Sequence, residues 1–389
     1  MDDLLRALAD SRAEAPELWA ELEPYRFEEQ SHLIRLYRRF VTWGLCEQLC
    51  QESARLTSID PDRAVEAAEL AVLVSDLLKE DQPARARRLY RLRGYSWAHD
   101  GNARRVLGDL RGADESFSIA DAWWEAGEDA ADRGVESDEY EPLLLDFKAS
   151  LRIAQRRFPE ALSLLDRLFK LHANGHQPER RDAHLAGRAL IKKALALAEM
   201  EEPESAIELL HEAKPLVDVK RDPRLLLCLR HNLLWNLTTV EQFGLAKALL
   251  PEVAALSREL GNPLDLVRLR WAEARIAAGL GEVIAAVRLF QELRQDFAER
   301  GIAYDAALVT LELTALHAQE GRTAEVKRLS LEMAGIFRAQ DVPREALAAL
   351  LFFQRAAARE QASARLAREI AAFLEKLRSD PGLRFDLLR

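Results

Sequence analysis

The sequence predicts an all-α fold, a right-handed superhelical solenoid of stacked antiparallel helix pairs. Three observations carry that expectation. Gly261, Gly281, Gly301 and Gly321 recur at intervals of twenty residues. The segments between them, Leu264–Leu280, Val283–Glu299 and Ala303–Glu320, are too long for strands and have helical apolar spacing; in the middle one Ala286, Leu289, Phe290, Leu293 and Phe297 share a face. A glycine just past a helix can take the left-handed conformation that ends it. The unit is then a helix of about four turns with a glycine stop. Two units make a repeat of about forty residues, a solenoid period.

Composition agrees with a folded helical chain. Of 389 residues, 49% are hydrophobic and 31% charged, with only 17 Gly and 14 Pro. A repeat array of this length needs no division into separate cores, because each unit packs only on its neighbours. The net charge of −10 argues against a general nucleic-acid binder. No apolar run reaches the length of a membrane span, and the Met-Asp-Asp-Leu-Leu-Arg start is unlike a signal peptide, so a cytoplasmic location is expected. Cys46, Cys50 and Cys228 are too few for a disulfide framework and read as packing residues.

Residues 1–59 read as an N-terminal helical cap. A weak helix lies around Ala13–Leu22, a break falls at Pro24, and a stronger helix runs from Phe27 to Arg55 with Gly44 as a bend. Residues 60–389 read as the solenoid, ending in a C-terminal capping helix. Asp60 can cap the helix Asp62–Leu78 and Pro61 suits its first turn. Asp81-Gln-Pro ends that pair. Trp97, Gly101, Gly108, Ala113, Phe117 and Ala120 follow at spacings of four, seven, five, four and three. This run resembles the tetratricopeptide repeat signature, although Asp100 stands where that pattern has leucine and Arg104 where it has an aromatic residue. Fainter copies align on a small residue and a large one four later: Ala161 with Leu165, Ala206 with Leu210, Ala246 with Leu250, Ala286 with Phe290, and Glu325 with Leu329. With Ala64 and Ala113 the spacings run 49, 48, 45, 40, 40 and 39. Units near forty residues are similar to the longer repeats of bacterial signal-responsive regulators and of some eukaryotic scaffold proteins, and the Gly261-Asn262-Pro263 tripeptide resembles that longer class too. Linkers are expected at Gly134–Glu139 and His172–Glu179. The tail Leu383–Arg389 either frays or docks on the last helix.

Catalytic signatures are missing from the sequence: it has no phosphate loop, no His-Glu-x-x-His and no Gly-x-Ser-x-Gly. No enzyme, cofactor or metal is expected; His172 and His176 read as loop residues rather than ligands. Seven arginines between Arg85 and Arg105 read first as a solvated face, and second as an anion-facing patch. The acidic run Glu125–Glu141 reads as solubilising. The resemblance implies that the first helix of each pair lines a concave groove, through the residues one after and three before its small anchor. Anchors at Gly101, Ala149, Leu234 and Ala274 then point to Asn102, with Arg105 one turn further, and to Asp146, Ser150, His231, Trp235, Trp271 and Arg275 as partner-binding residues. Trp and Arg most often carry binding energy, but Trp235 and Trp271 could instead pack between neighbouring helices. The expected function is a non-enzymatic interaction module that holds a peptide or partner protein. The alternatives are a ligand-sensing regulator that changes superhelix shape and a nucleic-acid binder through Arg85–Arg105.

Overall fold

The computed structural model describes residues 2–79, 83–129, 140–174, 181–261, 263–338, 344–379 and 382–385, among which there is no strand. The helices are α1 (Asp2–Leu22), α2 (Phe27–Leu36), α3 (Trp43–Leu56), α4 (Pro61–Leu77), α5 (Pro83–Leu107), α6 (Leu110–Asp129), α7 (Glu141–Ala154), α8 (Phe158–Asn174) and α9 (Ala183–Glu199). They continue as α10 (Pro203–Ala213), α11 (Pro223–Thr239), α12 (Phe243–Leu260), α13 (Pro263–Gly279), α14 (Val283–Glu299), α15 (Ala303–Gln319), α16 (Thr323–Arg338), α17 (Arg344–Ala358) and α18 (Ala364–Ser379). The fold is all-α, a solenoid of antiparallel helix pairs. It forms two compact units, Met1–Ala196 and Leu197–Arg389.

The first unit corrects the reading of its start. The helix expected over Phe27–Arg55 is broken: α2 ends at Leu36, a short 3-10 turn covers Arg38–Phe40, and the Thr42 side chain accepts from Leu45 N to start α3. Gly44 is a close approach rather than a bend. A Cβ there would lie 2.0 Å from the Ser11 carbonyl oxygen of α1. Beside it, Glu47 is buried and accepts from Arg12 Nε at 2.6 Å, Arg12 Nη2 at 2.8 Å, Trp43 Nε1 at 3.1 Å and the Tyr140 hydroxyl at 2.5 Å. Asp60 and Pro61 start α4 as expected, with Asp60 Oδ1 accepting from Arg63 N. The Asp81-Gln break lies outside the described residues, as does Gly134–Glu139 within the acidic run.

The signature around Trp97 is an α5–α6 pair. Gly108 turns the chain with φ +97°, and a Cβ on Gly101 would lie 2.9 Å from the Phe117 ring. The two departures from the tetratricopeptide pattern answer each other. Arg104 Nε donates to Asp100 Oδ2 at 2.8 Å, and Ser116 Oγ donates to the same oxygen at 2.6 Å. Removing Arg104 leaves Asp100 buried without its counter-charge, and removing Asp100 leaves Arg104 with Glu69 and Asp109 and Ser116 without its acceptor carboxylate. Asp100→Leu is therefore expected to cost about 1–2 kcal/mol in urea unfolding, and Asp100→Leu with Arg104→Tyr less than the sum of the single changes. Additive losses would show that the pair is not coupled.

The same left-handed turn recurs within the pairs from α5 on, and up to α16 it stands five residues before the second-helix anchor; at Glu360 the buried alanine, Ala367, comes seven later. Gly108, Arg156, Glu201, Glu241, Gly281, Gly321 and Glu360 all have positive φ. Ala113, Ala161, Ala206, Ala246 and Ala286 follow five later, each 0% exposed. After Gly321 that place belongs to Val326, also buried, so Glu325 was one residue out of register and the last spacing is forty. Gly301 has φ +70° in the turn before α15, but Gly261 has φ −76° and is not left-handed.

In the second unit, α13 to α18 share one core around Phe290, Phe297, Leu311, Leu329 and Phe353. Phe385 docks the tail, 4.8 Å from the Phe373 ring and 6.0 Å from Phe352; residues 386–389 lie outside the described set.

Candidate functional site

In the first unit, α5, α7 and α9 carry the groove residues expected there. Asn102 is buried, and its Oδ1 accepts from Arg105 Nε at 3.2 Å and Nη2 at 2.9 Å. Asp146 and Ser150, one turn apart on α7, meet Lys192 of α9. Lys192 Nζ donates to Asp146 Oδ1 at 2.6 Å and to Ser150 Oγ at 2.9 Å, while Arg188 Nη2 reaches Asp146 Oδ2 at 3.2 Å. Burial lowers the pKa of Arg105 and of Lys192, and the nearby Asp146 charge opposes that in both. Four of the expected residues are thus brought together, with Arg188 and Lys192 added.

In the second unit, α11 supplies His231 and Trp235, and α13 supplies Trp271 and Arg275. Trp235 is half-buried, and Arg275 lies 5.0 Å above its ring. Trp271 is 6% exposed, edge-on to Trp235 at 5.7 Å and to Phe297 at 5.7 Å, so it forms the floor beneath Trp235. Glu312 of α15 completes the group, its Oε1 3.3 Å from Arg275 Nε. Burial raises the Glu312 pKa; Arg275 opposes this, the charge of Glu375 on α18 adds to it, and the Trp271 indole opposes it. The Trp271 N–H points toward that carboxyl without forming a hydrogen bond, and His231 Nε2 is likewise without a hydrogen-bond partner. Burial, then Arg268, lowers the His231 pKa, and Asp265 opposes them.

Sequence reasoning missed Lys192, Arg188 and Glu312. The signal that finds two of them is the twelve-residue step from Gly101 to Ala113. Applied backwards from Ala206 and Val326, it gives anchors at Ala194 and Thr314, both 0% exposed. Lys192 and Glu312 each stand two residues before such an anchor.

The arginine-rich stretch is neither a solvated face nor a bare anionic-ligand patch. Arg91 is buried 3.8 Å from the Trp124 ring and donates to the Trp124 carbonyl. Arg93 donates to the carbonyls of Ser75 and Leu78 and lies over Trp123. Arg104 pairs with Asp100 and Glu69, and Arg87 and Arg88 also have partners. The side chain of Arg85 lies outside the described set. His172, expected in a loop, sits buried in the last turn of α8; His176 lies outside the described residues. No described helix is long and apolar enough to cross a membrane.

No family model matches the chain, and no curated protein matches it. Solved structures do. A Rap protein in complex with competence and sporulation factor superposes with a TM-score of 0.54 at 14% identity, over 86% of this chain and 94% of that one. The apo form of RapI gives 0.47 at 12% identity, over 85% and 99%. Aspartyl phosphate phosphatase F from Bacillus subtilis gives 0.47 at 10% identity, over 89% and 97%. The likeness to the first is one of fold, that of a tetratricopeptide-like helical-repeat protein.

Proposed function

We propose that this chain is a bacterial, cytoplasmic regulatory module that binds a peptide or an extended segment of a partner protein without catalysis of its own. Residues 1–59 would cap one end and α18 the other. The observation that carries the reading is the second-unit cluster: a half-buried Trp235 under the Arg275 guanidinium, floored by Trp271, on adjoining first helices. Tryptophan and arginine are among the residue types most enriched where binding energy concentrates. The protein of the same fold that is seen with competence and sporulation factor supports a bound partner for this architecture.

The test is fluorescence polarisation against a panel of short synthetic peptides, repeated with Trp235→Ala plus Arg275→Ala. Peptides that bind the wild type are expected to bind the double variant at least about thirtyfold more weakly, corresponding to a loss of about 2 kcal/mol. Circular dichroism checks that the variant is folded. Equal affinity in both proteins, or no peptide bound by either, would refute the reading.

A further inference from the structure

The chemistry of the ligand can be narrowed at Glu312. A shielded carboxylate ordinarily has two or more hydrogen-bond donors. Here the closest approach of Arg275 is 3.3 Å, from Nε, without a formed hydrogen bond. That is unlike the forked pairing a guanidinium makes with a carboxylate when the two satisfy each other. The neighbouring Trp271 N–H is buried and also unmatched. Glu375 brings a second negative charge toward the same point from α18. One wall is the Trp235 ring, whose face already attracts the Arg275 guanidinium. The side chains of Arg275 and Glu312 are 26% and 18% exposed, so a small group can reach them.

Building on the peptide-binding reading, we infer that the Trp235–Trp271–Arg275–Glu312 cluster is a subsite for a cationic group of the ligand, a guanidinium or an ammonium. The cation donates to Glu312 and lies against the Trp235 indole, beside or in place of the Arg275 guanidinium. Three sources share this chemistry: an arginine side chain, a lysine side chain and a free N-terminus. The charges that govern the subsite's titration are Arg275 from α13 and Glu375 from α18, acting on Glu312 of α15. Because burial raises the Glu312 pKa above 4.5, cation binding weakens as pH falls through that raised value.

The experiment uses the full chain labelled with nitrogen-15 at its seven tryptophans. The indole signals of Trp235 and Trp271 are assigned through Trp235→Phe and Trp271→Phe. Ethylguanidinium, ethylammonium and the neutral isostere ethylurea are titrated in turn. Saturable shifts at both signals are expected with at least one cation and not with ethylurea. Glu312→Gln is expected to weaken the cation about tenfold, and lowering the pH on the wild type to weaken it in the same direction. The stronger cation separates arginine from the two ammonium sources, and blocked against free N-termini on a binding peptide separate the latter. Saturation by ethylurea equal to that by the cations, no saturable shift at all, or full cation affinity in Glu312→Gln would each overturn the subsite. Peptides that bind wild type and Glu312→Gln equally, yet fail on Trp235→Ala plus Arg275→Ala, would remove the cation subsite and leave the peptide function standing. Cation binding with no peptide bound would do the reverse.

Discussion

Lowering the pH from 7 to 5 is expected to destabilise the first unit well before its carboxylates titrate, and His99 is the cause. It sits on α5, 2% exposed, edge-on to the rings of Tyr95 at 4.6 Å and Phe147 at 5.2 Å. Neither ring nitrogen has a hydrogen-bond partner. Burial pushes its pKa from 6.5 down to about 3. The unfolded chain therefore binds a proton near pH 6.5 that the folded chain refuses until near pH 3. The stabilising contribution is complete above 6.5 and is lost as pH falls, by ~1.4 kcal/mol per pH unit and approaching roughly 5 kcal/mol at the acid end. In the second unit His231 and His317, also lowered mainly by burial, act in the same sense on that unit. Glu47 adds to the loss only below 4.5: burial raises its pKa, but Arg12, Tyr140 and Trp43 together outweigh burial and lower it. Urea unfolding between pH 7 and 5 should show the slope, and His99→Phe or His99→Leu should remove most of it. A wild type whose stability is flat over that range would refute the assignment.

Gly44→Ala should release α1 from α3. The added methyl would lie 2.0 Å from Ser11 O, 2.4 Å from its carbonyl carbon and 2.8 Å from Arg12 N. All three are backbone atoms, so no side chain can swing aside; α1 itself must move. That displacement also strains the Gly44 N to Ser11 Oγ hydrogen bond and the two bonds from Arg12 to Glu47. Alanine gains up to about 1 kcal/mol of helix propensity over glycine. Overpacking against backbone and the lost bonds outweigh it, for a net loss of about 2–3 kcal/mol. Hydrogen exchange should become faster across residues 6–22. Gly244→Ala, where a methyl meets nothing within 4 Å, is the control and should be near neutral. Unchanged stability and exchange in Gly44→Ala would show that α1 does not dock there.

Much of this was readable from the residues alone, for identifiable reasons. The helices from Pro263 to Gln319 were legible because two of the turns between them use glycine, whose left-handed preference marks a stop. The helix break before Thr42 was not legible, since the apolar spacing runs on through it and only tertiary contacts with α1 and α4 decide it. Arg275, Asp146 and Ser150 could be located by counting from a small anchor, and Trp235 by counting from Leu234, which holds the same place in its helix. Lys192 and Glu312 escaped because they stand two residues before Ala194 and Thr314, a position that the one-after and three-before spacing does not read. The isolation of His99 depends on what surrounds it in space, and no local pattern announces that.

What repeats along this chain is a torsion angle more than a letter. Seven intra-pair turns share a positive φ, yet glycine fills three of them and arginine or glutamate the other four. Left-handed backbone at a residue with a Cβ is tolerated only because the helices on either side hold it there. Substitution can thus erase the repeat as text while the geometry passes on unchanged. The main chain can then lie along a solved protein with which it shares 14% of its residues, although its letters match no family model.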